Sequence, residues 1–216
     1  MSDVTLHYVF DPLCGWCYGA APLVEAARQV PGLAVAFHGG GMMTGSNRRH
    51  ISPEWRTYVM PHDLRIADLT GQPFGSAYFD GLLRDTGALL DSEPPLKAIL
   101  AAEALAGRGL ELIHRLQQAH YEEGLRIADT PVLVQLASEL GFDASTFEQA
   151  FDAISSAQIQ AHIAASRMLL QKLRGQGFPT FALEDSKGTL TLLDSGRFLG
   201  QLPAWRERLE QAVALG

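Results

Sequence analysis

The feature that most constrains the fold is a strand–helix–strand pattern at the start of the chain. Residues 4–10, VTLHYVF, are β-branched and aromatic and end at an Asp-Pro pair, as is typical of a short buried strand. A helical pattern follows from Cys14 to Val30, with a kink expected at Pro22, and residues 33–38, LAVAFH, predict a second strand. Two strands joined by one helix over so short a distance run parallel, with a right-handed crossover. This beginning predicts the sheet of an α/β fold.

The rest of the chain divides into an all-helical block and a mixed ending. No strand is predicted between about 46 and 154, where the 50–90 region indicates short helices and loops and helical spacing recurs over 94–107, 110–124, 130–141 and 143–154. The ending predicts a long helix, a hairpin around Ser-Lys-Gly and a last helix, at 155–175, 180–194 and 202–215. We therefore predict a core made of residues 1–45 and 155–216, interrupted by a helical insertion at 46–154.

Only two cysteines occur in the chain, Cys14 and Cys17, and both lie where the first strand passes into the helix. A structural zinc site needs four ligands, and the histidines closest in sequence, His114 and His120, would point in different directions on a helix. Two buried and chemically silent thiols are a second possibility. A redox pair explains the position of the two thiols better than either alternative.

The two thiols of such a redox pair have different tasks. Unpaired N–H groups and the positive end of the helix dipole stabilise a thiolate at Cys14. Cys17, one turn further along, should be shielded from solvent yet within reach of the first sulfur. We therefore expect Cys14 to be an exposed nucleophile of low pKa that attacks a substrate disulfide, and Cys17 to resolve the mixed disulfide.

Charge and hydropathy argue against several classes of partner. The net charge of −7 and the sequence pI near 5.4 disfavour nucleic acid, because phosphate binding needs a basic face. No run approaches the ~18 apolar residues of a membrane span, so no membrane contact is expected. The opening MSDVTLHYVF has neither the charged start nor the apolar core of a signal peptide, which predicts a cytoplasmic protein.

Several motifs occur together along the whole chain. Cys14-Gly15-Trp16-Cys17 is a CxxC motif, Pro22 follows its second cysteine by five residues, and GFPTF at 177–181 enters a strand after a helix. With the helical block between the two halves of the core, and with the segments TGQPFG and QQAHY, this set resembles the thioredoxin superfamily. Within it the chain is most similar to the DsbA family, in its FrnE-like branch of protein-disulfide isomerases.

The resemblance implies a thioredoxin fold with a DsbA-type helical insertion and a thiol-disulfide oxidoreductase that works by dithiol-disulfide exchange. Cys14 and Cys17 would be its catalytic residues, without a metal or a bound cofactor. Pro179 would be cis and adjacent to Cys14, and substrate would contact Gly15, Trp16, Phe178 and Pro179. The backbone of Phe178 would pair with an extended substrate. The partners would be protein or small-molecule thiols and disulfides, glutathione among them.

The chain also departs from the pattern of the family. Thioredoxin and DsbA carry a buried carboxylate six residues before the first cysteine, where this chain has Tyr8; Asp11 and His38 are the nearest candidates to take over its proton transfer. Trp16 carries no charge, so backbone dipoles must stabilise the Cys14 thiolate. We therefore expect a redox potential less oxidising than the roughly −120 mV of DsbA. Phe178, a bulky residue, should narrow the substrate groove.

Two other functions stay open. The same fold serves glutathione-dependent transferases and isomerases of the kappa and 2-hydroxychromene-2-carboxylate isomerase types, which usually carry Ser in place of the first cysteine and lack the second. A non-catalytic chaperone that binds clients between the insertion and the core is the third possibility. The CxxC pair itself suits an oxidase, a reductase and an isomerase alike.

Overall fold

The fold is built around a small mixed sheet, and the computed structural model describes residues 4–215. Its strands are β1 (Val4–Phe10), β2 (Leu33–Gly39), β3 (Arg49–His50), β4 (Leu89–Leu90), β5 (Thr180–Glu184) and β6 (Leu190–Leu193). Four of them form one sheet in the order β2-β1-β5-β6. β1 pairs in parallel with β2 and antiparallel with β5, which forms a hairpin with β6. The predicted strand–helix–strand unit and the predicted hairpin are confirmed.

Helices cover both faces of this sheet. They are α1 (Gly15–Gly19), α2 (Ala21–Arg28), α3 (Pro53–Thr70), α4 (Glu93–Ala106), α5 (Gly109–Tyr121), α6 (Thr130–Glu139), α7 (Ala144–Ala153), α8 (Ser156–Lys172) and α9 (Leu202–Leu215). The mixed α/β class is thereby confirmed, and the remaining helical turns are short 3-10 or π segments at 45–47, 77–84 and 195–198.

The alternation of side chains along the strands separates the two faces. Tyr8 of β1 points to the first face, where its ring stacks on Phe181 of β5 with 4.9 Å between centroids. On that face the buried Trp205 of α9 packs edge-on against Phe181. Val9 points to the opposite face and packs with Leu173, at the end of α8. Consecutive residues of β1 therefore belong to different cores.

The first predicted helix is two helices in the structure. α1 ends at Gly19 and α2 begins at Ala21, so the chain turns at Ala20 instead of continuing to Val30 with a kink. Pro22 lies in the first turn of α2. That is the place in a helix where a missing N–H costs nothing, because the first N–H groups have no partner within the helix.

The prediction of short helices and loops at 50–90 is wrong for its first part, which is the 18-residue helix α3. Ser52 caps this helix, since its side chain accepts a hydrogen bond of 3.2 Å from a backbone N–H of the first turn. Gly71, with φ +73°, ends it. The helix escaped prediction because Pro61 interrupts the pattern and because only two of its residues, Asp63 and Ile66, are buried.

The remaining predicted helices of the middle region are confirmed as α4 to α7, which pack against one another. The expectation of no strand between 46 and 154 is wrong in one detail, because β3 and β4 form an antiparallel ladder two residues long. So short a ladder leaves no alternating pattern in the sequence. One continuous buried cluster joins the sheet to these helices, and the domain boundaries at 45 and 155 stay a prediction.

Candidate active site

The CxxC motif lies at the start of α1, as expected from the sequence. Cys14 is the N-cap residue, and its carbonyl accepts hydrogen bonds from the backbone N–H groups of Cys17 (2.9 Å) and Tyr18 (3.1 Å). Both cysteines are free thiols. Cys17 is fully buried, as expected, but only 6 % of Cys14 is exposed, so the expectation of an exposed Cys14 is wrong. The sulfur of Cys14 therefore lies at the edge of the packed core.

The segment around Pro179 faces Cys14 across this edge. The Phe178–Pro179 peptide bond is cis, as predicted. The thiol of Cys14 donates to the carbonyl oxygen of Phe178 over 3.4 Å, which confirms that the two segments are adjacent. The residues expected to contact substrate, Gly15, Trp16, Phe178 and Pro179, are all half-buried. Of these four, Phe178 contacts the sulfur of Cys14, while Gly15 and Trp16 follow Cys14 along α1 and Pro179 follows Phe178.

The ring of Phe178 lies over Gly40, the first residue after β2. A Cβ atom added at Gly40 would come within 2.1 Å of this ring, so the ring occupies the space that a side chain would need. The guanidinium of Arg167 donates to the carbonyl oxygens of Gly40 (2.8 Å) and Gly41 (2.6 Å) and holds this loop in place. The bulk that was expected to narrow the groove is therefore packed against the loop after β2.

Asp11 is a fully buried carboxylate that organises the loop before the motif. Its oxygens accept hydrogen bonds from the backbone N–H groups of Leu13 (2.9 Å) and Met42 (2.6 Å) and from the hydroxyl of Ser92 (2.8 Å). Burial raises the pKa of Asp11 to about 6, although these three bonds and the charge of Arg167 lower it. Asp11 thereby ties the motif to the loop after β2 and to the start of α4.

Tyr8 lies directly beside the second cysteine. Its hydroxyl donates to the carbonyl oxygen of Cys17 over 3.4 Å. Burial, and then the charges of Cys17 and Cys14, raise the pKa of Tyr8 well above its usual value. Burial, followed by the hydrogen bond and charge of Cys14, also raises the pKa of Cys17 well above that of a free thiol. Loss of the Cys17 proton therefore needs assistance from a neighbouring group.

His38 does not face the cysteines, so it is not the group that replaces the family's carboxylate. It pairs with Val9 in the sheet and belongs to the face covered by α8, whereas Tyr8 belongs to the face of Cys17. Nδ1 of His7 and Nε2 of His38 are 2.9 Å apart, and Nε2 of His7 is 2.7 Å from a carboxylate oxygen of Glu184. Burial, then His7 and His162, lower the pKa of His38 to about 4.

A second buried acid reaches the motif from α3, and sequence reasoning missed it. Asp63 touches Gly15 so closely that a Cβ atom at Gly15 would be 2.6 Å from its Oδ1 atom. Its other oxygen accepts a 2.8 Å hydrogen bond from the Tyr78 hydroxyl. Burial raises the pKa of Asp63 to about 6, and the bond from Tyr78 lowers it. A lone aspartate within an irregular stretch gives no sequence signal for such a contact.

The site holds two thiols and two buried acids, which suits sulfur exchange and proton transfer. Among residues 4–215, no three His, Cys, Asp or Glu side chains are grouped so that they could hold a metal ion. Over the same span, none of the helices is both long and apolar enough to cross a membrane.

Comparison with known proteins agrees with this chemistry. The family model described as a DSBA-like thioredoxin domain matches residues 5–198. The cytosolic disulfide reductase DsbM from Pseudomonas aeruginosa is 57 % identical, with a TM-score of 0.92 over 98 % of this chain and 100 % of that one. A second structure of DsbM, with GSH, is 56 % identical, with a TM-score of 0.90 over 97 % and 99 %.

A third solved structure is similar at lower identity. It is a protein from Nitrosomonas europaea assigned as a protein disulfide isomerase, 26 % identical, with a TM-score of 0.78 over 99 % of this chain and 98 % of that one. A search of curated proteins found no match. The family match covers most of the chain, and the similarity to DsbM extends from end to end.

Proposed function

The chain belongs to the family of DsbA-like thioredoxin domains and is a thiol-disulfide oxidoreductase, and we propose that it works in the cytosol as a disulfide reductase. In this proposal Cys14 is the nucleophile and Cys17 the resolving thiol. The observation that carries it is the asymmetry of the pair, because Cys14 borders the surface beside Phe178 while Cys17 is sealed beneath it. The similarity to DsbM, named as a cytosolic disulfide reductase, supports the direction and the compartment.

The reaction proceeds in two exchanges. The Cys14 thiolate attacks one sulfur of a substrate disulfide, forms a mixed disulfide and releases the first substrate thiolate. Cys17, having lost its proton, then attacks the sulfur of Cys14, and the second substrate thiolate leaves. The substrate gains two electrons and the protein is left with a Cys14–Cys17 disulfide. A thiol partner must then reduce the protein.

Glutathione is the partner that we propose for this last step. The support for this choice is the similarity to DsbM, of which one structure contains GSH, and glutathione is a small thiol. Gly15 and Trp16 would contact it from the helix, and Phe178 and Pro179 from the opposite side. Once substrate displaces the Cys14 thiol, the Phe178 carbonyl becomes free to accept a hydrogen bond from an extended backbone.

The residues between the cysteines favour the reducing direction. Gly15 and Trp16 carry no charge, and α1 is only five residues long, so few groups stabilise the Cys14 thiolate. A reduced form that is weakly stabilised makes a weak oxidant. We expect the potential of the Cys14–Cys17 pair, equilibrated against glutathione, to lie well below the roughly −120 mV of DsbA.

The test is turnover of a glutathione-containing mixed disulfide by purified protein. Wild type should reduce the disulfide catalytically with glutathione, and Cys14→Ser should abolish turnover. Cys17→Ala should trap a glutathione adduct on Cys14, detected as a mass increase on the peptide that contains it. A wild-type protein without turnover, or an adduct on Cys17 instead of Cys14, would contradict the proposal.

The same variants distinguish the two alternatives. Turnover of a glutathione conjugate by Cys17→Ala at the wild-type rate would indicate a transferase or isomerase, which needs one nucleophilic position only. Suppression of client aggregation that persists in Cys14→Ser, in a protein without reductase activity, would indicate a chaperone. If Cys14→Ser loses both the reductase activity and any suppression of aggregation, the reductase proposal is supported.

A further inference from the structure

A small cavity lies behind the CxxC motif, between β1, α2 and α5. It is lined by Tyr8, Ala21, Val24, Glu25, Leu110, Ile113, His114 and Gln117. Four of these residues come from α5 at spacings of three and four, so they share one face of that helix. The volume open to the centre of a water molecule is about 10 Å³, roughly the space that one water needs.

Polar atoms without partners line this cavity. Gln117 is 1 % exposed, and its Nε2 atom has no hydrogen-bond partner among the described residues. The same holds for Nδ1 of His114, one helical turn away on α5, although the ring of His114 as a whole is only partly buried. Buried amide and imidazole nitrogens are costly when unpaired, and ordered water usually satisfies them.

The Tyr8 hydroxyl connects this cavity to the site. Tyr8 lines the cavity and donates to the Cys17 carbonyl on its other side. Gln117 and Tyr8 both line the cavity, and interaction with the Gln117 amide lowers the pKa of Tyr8, against the larger effect of burial. Tyr8 keeps its proton, because burial raises its pKa. It can therefore pass a proton on only by accepting another.

We infer that the cavity binds one water molecule, and that Tyr8, this water and His114 carry the proton of Cys17 out of the site. When Cys17 attacks the sulfur of Cys14, the Tyr8 hydroxyl turns from the Cys17 carbonyl towards the water. The Cys17 proton then passes to the Tyr8 oxygen, and the Tyr8 proton moves to the water. The water in turn protonates Nδ1 of His114, whose partly exposed ring exchanges protons with solvent. Gln117 is a positioning residue that holds the water by donating to it.

This inference rests on the proposed reductase function, because it concerns the proton of the second exchange. Asp11 is the competing base, since it is buried and its charge raises the pKa of Cys17. Both of its carboxylate oxygens, however, already accept hydrogen bonds, from Leu13 and Ser92 at one oxygen and from Met42 at the other. Asp11 is therefore directed at the loops and at α4, whereas the cavity is lined by nitrogens that have no such partners within residues 4–215.

The experiment follows the two exchanges separately in a stopped-flow instrument. Reduced protein is mixed with 5,5′-dithiobis(2-nitrobenzoate), whose coloured thiolate is released once when Cys14 attacks and again when Cys17 resolves the mixed disulfide. Both phases are measured between about pH 6 and pH 9 for wild type and for Tyr8→Phe, Gln117→Met and Asp11→Asn. Tyr18→Phe is the matched control, because that buried hydroxyl bonds to the Pro73 carbonyl and to Glu122, outside the cavity.

We expect Tyr8→Phe to slow the second phase about 10²-fold near pH 7, the usual effect of losing assisted proton transfer, and to leave the first phase within about twofold. The difference between wild type and Tyr8→Phe in the rate of the second phase should shrink towards pH 9, where hydroxide takes the Cys17 proton directly. Gln117→Met should slow the same phase with the same pH profile, and Tyr18→Phe should not.

Three results would overturn the inference. The first is a rate of the second phase in Tyr8→Phe within about twofold of wild type at every pH. The second is equal slowing of both phases by Tyr8→Phe. The third is a pH-dependent slowing of the second phase that occurs in Asp11→Asn alone. If wild type itself shows no second phase, the reductase proposal fails with it. If wild type shows both phases and Tyr8→Phe matches it, only the proton path fails.

Discussion

Gly40→Ala tests the contact between the loop after β2 and the segment of Pro179. The added Cβ atom would lie 2.1 Å from Cζ and 2.3 Å from Cε1 of Phe178. Carbon atoms in contact are normally about 3.5–4.0 Å apart, so the ring must move by more than about 1 Å. The backbone carbonyl of the same residue accepts the Cys14 thiol, so a shift of the ring also reaches the nucleophile.

The expected cost follows from the size of this overlap. Forcing one extra carbon into a packed site costs typically about 1–3 kcal/mol. For a chain of 216 residues this corresponds to a fall in Tm of about 2–12 °C. Gly40 does not have a positive φ, so the loss comes from the overlap alone and not from backbone strain.

The assay is a double-mutant cycle by urea denaturation. Gly40→Ala is compared in the wild-type background and in Phe178→Ala, where the ring that would collide is gone. We expect the free energy lost by Gly40→Ala to fall to near zero in the second background, a coupling of about 1–3 kcal/mol. Gly196→Ala is the control, because its Cβ atom would meet only Asp194, at an ordinary 3.5 Å.

Two results would refute this argument. Equal losses for Gly40→Ala in both backgrounds would show that the ring of Phe178 is not the obstacle. A stability of Gly40→Ala equal to that of Gly196→Ala would show that the ring moves away freely. The rate at which Cys14 is alkylated should also change in Gly40→Ala. An unchanged rate would show that movement of the Phe178 ring does not reach the Phe178 carbonyl.

Two further predictions concern pH, and they have opposite signs. The pKa of Asp11 is raised from 3.8 to about 6, so its stabilising contribution is present below pH 3.8 and lost as pH rises through 6. The stability of Asp11→Asn relative to wild type should therefore increase by about 3 kcal/mol between about pH 4 and pH 7, measured by denaturation at each pH, and a flat difference would contradict this. The pKa of His38 is lowered from 6.5 to about 4, so its contribution is present above pH 6.5 and lost as pH falls through 4. His38→Gln should gain stability relative to wild type as pH falls across that window, and a difference that declines instead would show that His38 is not the group responsible.

The sequence anticipated those parts of the site that depend on neighbours along the chain. Cys14 begins a helix because the strand before it ends at an Asp-Pro pair and helical spacing follows. The hairpin of β5 and β6 likewise follows from two short apolar runs around a three-residue turn. The cis bond at Pro179 was anticipated by family resemblance and not by local pattern. The start of the helix and the hairpin are each decided within about ten residues of chain.

Residues that meet from distant parts of the chain were harder to anticipate. Asp63 reaches Gly15 because α3 packs against α1, and α3 itself had no apolar stripe to reveal it. His38 was expected near the cysteines, yet the sheet register pairs it with Val9 and turns it to the opposite face. A shift of one residue in that register would have reversed the outcome.

The sequence by itself determined that this chain carries a redox-active thiol pair at the start of a helix in an α/β sheet. Such local order follows from side-chain periodicity, turn residues and helix ends. Only the tertiary structure decided which groups surround the thiols: Phe178 over Gly40, Asp63 against Gly15, and the Tyr8 hydroxyl between Cys17 and the cavity. These contacts depend on strand register and on how separate helices pack, and both are properties of the whole folded chain.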